Sequence, residues 1–508
     1  MASLKSVVKD TAIYGLSSIV GRFLNYLLVP LYTSVLAAES GGYGVVTNIY
    51  AYTAICLVLL TFGMETTFFR FANKKGEQPL TVYSTTLILV ATVGLCFVAA
   101  VLGFLPQIAG AMGYAAHPEY VGMMAVCIAI DAFQCIPFAW LRYQRRPIKF
   151  AALKLLFIGM NISLNLIYFL LLPDWYERWP DTVGLFYNPG VGVGYVFGLN
   201  LVCTAAITVL FRTELTGFRY VFDPQLARRM LSYSWPILVL GIAGILNQTA
   251  DKILFPIVYG QGEEANVQLG IYGACAKVAM IMAMITQAFR YAYEPFVFAG
   301  ARENEAESKA VYARAMKYFL IFTLLAFLCV MGWLDVLQYI IAADYREGLR
   351  VVPIVMAAEI MMGIYFNLSF WYKLIDRTIW GAWFSLAGCT VLIAVNVLLI
   401  PRMGYMACAW GGVAGYGTAM LLSYIVGQRK YPIRYPLGEM AVYVILATVL
   451  TGAMYFVPDT WPLALRLATK TILIGIFAAY LVWKDFPLHR LPVVGRWFTP
   501  KKKINPEK

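Results

Sequence analysis

Few residues in this chain have the chemistry for a site, and most of those lie where a charge is costly. Arg22, Lys154, Lys252, Lys277, Arg466 and Lys470 fall inside long apolar blocks, as do Asp131, Asp251 and Glu359, and Glu294 follows the end of another block. A charge at the centre of a bilayer costs about 2.5–3.5 kcal/mol even on a permissive insertion scale. Each therefore needs an aqueous cavity, an ion partner or a ligand. The two histidines, His117 and His489, leave almost no material for imidazole catalysis or His-based metal binding. All nine cysteines fall within apolar blocks with no CxxC pair, so they read as packing residues, giving neither a disulfide framework nor a zinc site. P-loop, HExxH, DxD and GxSxG motifs are absent. The glycines at 190, 192, 194 and 198, and at 411, 412, 415 and 417, follow no strand and read as close helix packing. The chain is expected to have no catalytic residue, no metal and no cofactor. It is expected to bind or move something rather than convert it.

The elements that must hold these charges are membrane helices. Of 508 residues, 61% are apolar and 13% charged, against roughly 45–50% and 25% in soluble domains. Blocks long enough to span a bilayer lie near 11–36, 43–69, 81–105, 120–141, 148–172, 190–211, 231–259, 267–290, 311–335, 350–372, 378–400, 405–426, 436–457 and 463–483. The expected fold is therefore an all-α polytopic membrane protein of fourteen helices, spans 1 to 14. Lysine and arginine supply an independent test. Thirty of the forty fall on the N-terminal side of the membrane and four on the other, alternating over every loop. By the positive-inside rule both termini are cytoplasmic. The net charge of +13 is then mostly topology, and nucleic acid is not an expected partner. Lys501 to Lys503 are read as a solvated tail or as a contact to anionic lipid. No outer loop has the length of a folded domain; the longest, near 173–189, reads as an aromatic-rich interface loop.

The sequence also repeats itself. NYLLVPLYTSVLAAESGGYGVV from span 1 onward matches DKILFPIVYGQGEEANVQLGIYGAC from span 7 onward. With a three-residue loop insertion, Asn25 meets Asp251, Pro30 meets Pro256, Tyr43-Gly44 meets Tyr272-Gly273, and Glu65 meets Glu294. Asn165 before Pro173 is echoed by Asn396 before Pro401. Six spans per copy is an even number, so the copies are parallel and related by an axis along the membrane normal. Halves of that kind bind substrate between them near the midplane. The expected partition is an N-lobe at 1–218, a C-lobe at 219–432, spans 13 and 14 at 433–486, and a basic cytoplasmic tail at 487–508.

The intramembrane charges lie on polar faces. Thr11, Tyr14, Ser18, Arg22, Asn25 and Tyr32 share one face of span 1, with Arg22 roughly 18 Å from the helix start at 1.5 Å per residue. Asn247 and Asp251 share a face of span 7, with Gln248 beside them. On span 8, Lys277, Gln287 and Glu294 share a face with Gly270, Gly273, Met280, Met284 and Tyr291. The expected site is a central cavity lined by spans 1, 2, 7 and 8, with Arg22, Asn25, Asn247, Asp251, Lys277 and Gln287 as substrate ligands. The alternative is a structural ion pair of Asp251 with Lys277 or Arg22. Lys252 is rotated about 100° from Asp251 and has the reach to snorkel instead. Asp131, Asp251, Glu294 and Glu359 are the candidate ion-coupling acids; Asp131 and Glu359 read equally as neutral, hydrogen-bonded carboxyls.

Several stretches together resemble bacterial polysaccharide flippases of the multidrug/oligosaccharidyl-lipid/polysaccharide exporter superfamily. They are RFLNYLLVPLYTSVL, IPFAWLRYQRRPIKFAALK, LNQTADK, LGIYGACAKVAMIMAMITQAFRYAYEPF, GIYFNLSFWYKLIDRT and IPRMGYMACAW. The resemblance covers about residues 5–435 and is nearest in style to the O-antigen and capsule type. It implies translocation of an undecaprenyl-pyrophosphate-linked oligosaccharide from the cytoplasmic to the outer leaflet by alternating access. Arg22 and Lys277 fit the cationic cavity of such proteins, whereas Asp251 and Glu294 depart from it. Expected partners are the lipid-linked oligosaccharide, membrane lipid, and a polysaccharide polymerase and glycosyltransferases. A cation-coupled multidrug exporter of the same fold is the runner-up. A membrane glycosyltransferase or polymerase would want catalytic groups on a large outer loop.

Overall fold

The computed structural model describes residues 20, 24, 26–300, 305–375 and 377–485, with side chains described up to 290 and again from 308. Among these residues the chain is all-helical. Eleven helices are long and apolar enough to cross a membrane, and the protein is a multi-pass membrane protein. The helices are labelled α1 (Leu28–Val35), α2 (Gly42–Thr61), α3 (Met64–Ala72), α4 (Pro79–Gly103), α5 (Pro118–Tyr143) and α6 (Pro147–Leu166). They continue as α7 (Gly194–Leu210), α8 (Pro224–Tyr259), α9 (Glu263–Gly300), α10 (Glu305–Gly332), α11 (Val352–Leu368) and α12 (Ile379–Met403). The last are α13 (Met406–Lys430), α14 (Leu437–Tyr455) and α15 (Leu463–Lys484). Three of the expected spans are not among the eleven. Half of the first lies outside the described residues, α7 has 17 residues, and α13 is rich in glycine.

Two expected blocks hold irregular backbone. The block at 43–69 breaks between α2 and α3, because Phe62 (φ 49°) and Gly63 (φ 67°) are both left-handed. A side chain on Gly63 would put a Cβ 2.8 Å from Ile237 Cγ2, so the break lets α8 approach closely. The helix that begins at Pro147 passes through a π-helical stretch at Ile167–Leu171 into Leu172–Arg178. The aromatic loop that follows is packed, with Tyr187 stacked on Tyr195 at 5.5 Å.

Chain contacts define two compact units, residues 1–284 with 340–426, and 285–339 with 427–508. In the first, α2 to α5 and the start of α8 enclose a core built on Phe68, Tyr83, Ile136, Trp140 and Met230. Tyr83 and Trp140 stack at 4.6 Å. Ion pairs border this core: Glu65 with Arg142, Glu77 with Arg229 at 2.7 Å, and buried Glu214 with Lys149 at 2.7 Å.

In the second unit, α10, α14 and α15 are tied by charge at both ends. Lys317 of α10 reaches Glu439 and Asp485, and the Tyr443 hydroxyl donates to Asp485. Beyond the other end of α10, Asp335 accepts from Lys470 at 2.7 Å, and Arg466 lies 3.8 Å from it. Arg466 and Lys470, which fall inside an apolar block of the sequence, are members of this network.

Candidate functional site

Arg22 and Asn25 lie outside the described residues, and Glu294 lies in α9 where only the backbone is described. The other sequence-derived candidates fall into two polar clusters and two separate residues, Lys277 and Gln287, all in helices of the first unit apart from Gln287, which lies in the second.

The larger cluster is built on α8. Asp251 is buried and its carboxylate takes the Lys252 ammonium at 3.0 Å on both oxygens. The Tyr272 hydroxyl of α9 donates to the same carboxylate at 2.7 Å. Lys277, one of the two partners anticipated from sequence, does not hold Asp251; Arg22, the other, lies outside the described residues. Although Lys252 is rotated around the helix from Asp251, its four-carbon stem lets the ammonium fold back. It also donates to the Gln248 carbonyl at 3.0 Å and sits 5.6 Å from the Tyr272 ring centroid. Asn247, one turn earlier, donates to the carbonyls of Ala243 at 2.9 Å and Ser385 at 3.0 Å, fastening α8 to α12. The Tyr416 hydroxyl of α13 donates to the Asn247 carbonyl at 2.9 Å. The Asn247 amide is therefore engaged in helix packing. Glu359 on α11 is half-buried and lies within electrostatic reach of both Lys252 and Asp251.

Lys277 on α9 stands apart. It lies deep among protein atoms, keeps part of its surface open, and feels Lys252 as a like charge. Among the described residues it has no hydrogen-bond or ion-pair partner. A cation so placed suits an aqueous cavity or an anionic ligand, since an isolated dry ammonium would be strongly penalised. Gln287, ten residues on, is half-buried.

The second cluster surrounds Asp131 on α5. The Thr204 hydroxyl of α7 donates to it at 3.4 Å, a long bond. Asn200, one turn before Thr204, donates to the Tyr50 hydroxyl of α2 at 2.7 Å. Gln134 donates to the Thr204 carbonyl at 2.7 Å and to Thr208 at 2.8 Å. Lys154 of α6 is within electrostatic reach of Asp131 and sits 4.0 Å from the Phe138 ring centroid. Tyr50, Gln134, Asn200 and Thr204 were not identified from sequence. The spacing of Asn200, Thr204 and Thr208 along one face of an otherwise apolar helix was the available signal. Among the described residues no group of three or more His, Cys, Asp or Glu side chains could hold a metal ion.

The two clusters belong to helices that meet tightly at one end of the bundle, where α2 and α9 begin. Gly44 packs on the Asn266 carbonyl so closely that a Cβ would lie 1.8 Å from it. A Cβ on Gly273 would lie 2.5 Å from Thr47 Oγ1. The segment before α11 closes on the same place: Asp344 accepts the Ala38 amide at 2.6 Å, and the Tyr345 hydroxyl donates to the Leu36 carbonyl at 2.5 Å. Glycine at 44 is thus fixed by contact between backbones, as in other close helix crossings.

No protein-family model matches the sequence, and no curated protein does. Solved structures do match. The lipid II flippase MurJ in an inward closed conformation aligns with a TM-score of 0.69 at 13% identity, over 92% of this chain and 99% of that one. An inward-facing MATE-family multidrug resistance transporter of the MOP superfamily aligns at 0.62 and 16% identity, over 80% and 93%. An outward-facing MATE-family transporter aligns at 0.54 and 15% identity, over 84% and 95%. The fold is the one seen in these MATE-family transporters and in MurJ. At these identities the likeness is one of fold.

Proposed function

We propose that the protein is a flippase for a pyrophosphate-linked, polyprenyl-borne oligosaccharide, moving it from the cytoplasmic to the outer leaflet for O-antigen or capsule assembly. The observation that carries this reading is Lys277, a deep and partly open cation with no described partner, repelled by Lys252. An anionic ligand would complete it. Arg22, on the polar face of span 1, is the second cation proposed for the same anion; a guanidinium fork and an ammonium point charge together suit a diphosphate. Alignment with MurJ over 99% of that chain supports a lipid-linked cargo. Fourteen spans, two parallel six-span lobes and cytoplasmic termini belong to this proposal. In that orientation the close crossing at Gly44 lies toward the outer side.

Asp251 enters the proposal as a structural ion pair, because Lys252 already neutralises it. Glu359 and Asp131 remain the proposed coupling acids; Glu294 and Asn25 stay candidates from sequence. The Asp131 cluster, with its long Thr204 bond, favours one second reading, a cation-coupled multidrug exporter. A deletion strain separates the two. Loss of surface polysaccharide with lipid-linked precursor trapped in the inner leaflet supports the flippase. Normal polysaccharide with raised drug sensitivity supports the exporter.

A further inference from the structure

α8 carries a proline four residues after Lys252, at Pro256. An α-helix would pair the Lys252 carbonyl with the amide of residue 256, and proline has none. That carbonyl is not left bare. Asn48 of α2 donates its Nδ2 to it at 2.8 Å. Asn48 is fully buried, and its Oδ1 accepts the Tyr114 hydroxyl at 2.8 Å, which fixes the amide's orientation. One turn earlier on α2 is Gly44, the residue pressed against Asn266. Lys252 thus accepts a bond from α2 on its backbone while its side chain neutralises Asp251.

We propose that Asn48 is a positioning residue for gating. Its amide supplies the donor that Pro256 withholds, and it can do so only while α2 and α8 are packed together at the Gly44 end. The bond therefore favours the sealed state and ties it to the Asp251–Lys252 pair. When α2 and α8 part, the Lys252 carbonyl passes to water, on the same residue whose ammonium holds Asp251. Without Asn48, the sealed state keeps an orphaned carbonyl in a dry helix crossing, whereas the parted state keeps a hydrated one. Removing the donor should raise the opening constant of the seal by roughly tenfold. The inference concerns the seal and is independent of the cargo.

The test uses the substitution that restores the missing donor. Hydrogen–deuterium exchange is measured on the full-length protein in lipid nanodiscs, over residues 42–52 and 263–275, for wild type, Asn48→Leu, Pro256→Ala and the double variant. Asn48→Leu should accelerate exchange in both segments by roughly tenfold. The double variant should return to the wild-type rate, because an alanine amide at 256 can serve the Lys252 carbonyl. Exchange unchanged in Asn48→Leu overturns the proposal. So does acceleration that persists in the double variant, since the Lys252 carbonyl is then not the group that matters. Asn48→Ala carries the same test if the leucine variant does not accumulate. Failure of both to accumulate, even with Pro256→Ala, would make Asn48 a folding residue and also overturn it.

Discussion

Lys252 and Asp251 are neighbours in sequence, yet the ammonium of one lies 3.0 Å from both carboxylate oxygens of the other. Adjacent positions on a helix do not face each other, so the contact depends on the lysine stem bending back along α8. Its consequence is electrostatic. Asp251 is buried and balanced locally, which leaves Lys277 on α9 with no described counter-charge. Of the deep charges read from sequence as one site, those described on α8 and α9 form a neutral pair and an open cation.

That division can be tested by stability. Lys252→Met should destabilise the protein by about 3–5 kcal/mol, the range for stripping one partner from a buried pair. Lys252→Met with Asp251→Asn should recover most of the loss, because no unpaired charge remains. Thermal unfolding in detergent measures both. An unchanged melting temperature in the single variant would show that Asp251 is neutralised by something other than Lys252.

Lys317 should hold the second unit together. It contacts Glu439 and Asp485 from two other helices, so Lys317→Met leaves two carboxylates facing each other. We expect a loss of about 3 kcal/mol or more, seen as earlier proteolysis between α14 and α15. Lys317→Arg should lose less. Equal resistance in wild type and Lys317→Met would mean that apolar packing alone seats the last two helices.

Topology gives a coarser test. The alternating distribution of lysine and arginine calls for an even number of spans with both ends in the cytoplasm. A reporter fused after Lys508 should be active if it works in the cytoplasm and silent if it needs the outer side. The reverse pattern would invert the proposed direction of transport.

The apolar blocks were plain in the sequence because a lipid-facing helix has no polar alternative for roughly 20 residues; the block at 463–483 became Leu463–Lys484. The break at Phe62 and Gly63 was not legible. It depends on a close approach by α8, and no local pattern records that. Asp251 and Lys277 could be placed deep from their position in a block, but the partners of Asp251 could not. Helical periodicity gives the direction of a Cβ and says little about where a lysine's flexible stem will carry its charge. Asn48 lay in view beside a glycine run. Its role needs Pro256, which is more than 200 residues distant, and only the fold brings them together.

The central claim is that this chain carries a pyrophosphate-linked lipid across a bilayer and that Lys277 meets its charge. Purified protein reconstituted into liposomes, with a labelled polyprenyl-pyrophosphate oligosaccharide on one leaflet, tests it most directly. A sugar-binding lectin that cannot cross the bilayer reports how much substrate reaches the other side. Wild type should move the lipid at a rate that protein-free liposomes do not show. Lys277→Ala should lose most of that rate while inserting normally, and Lys277→Arg should keep part of it. Equal movement with wild type, Lys277→Ala and empty liposomes would contradict the account.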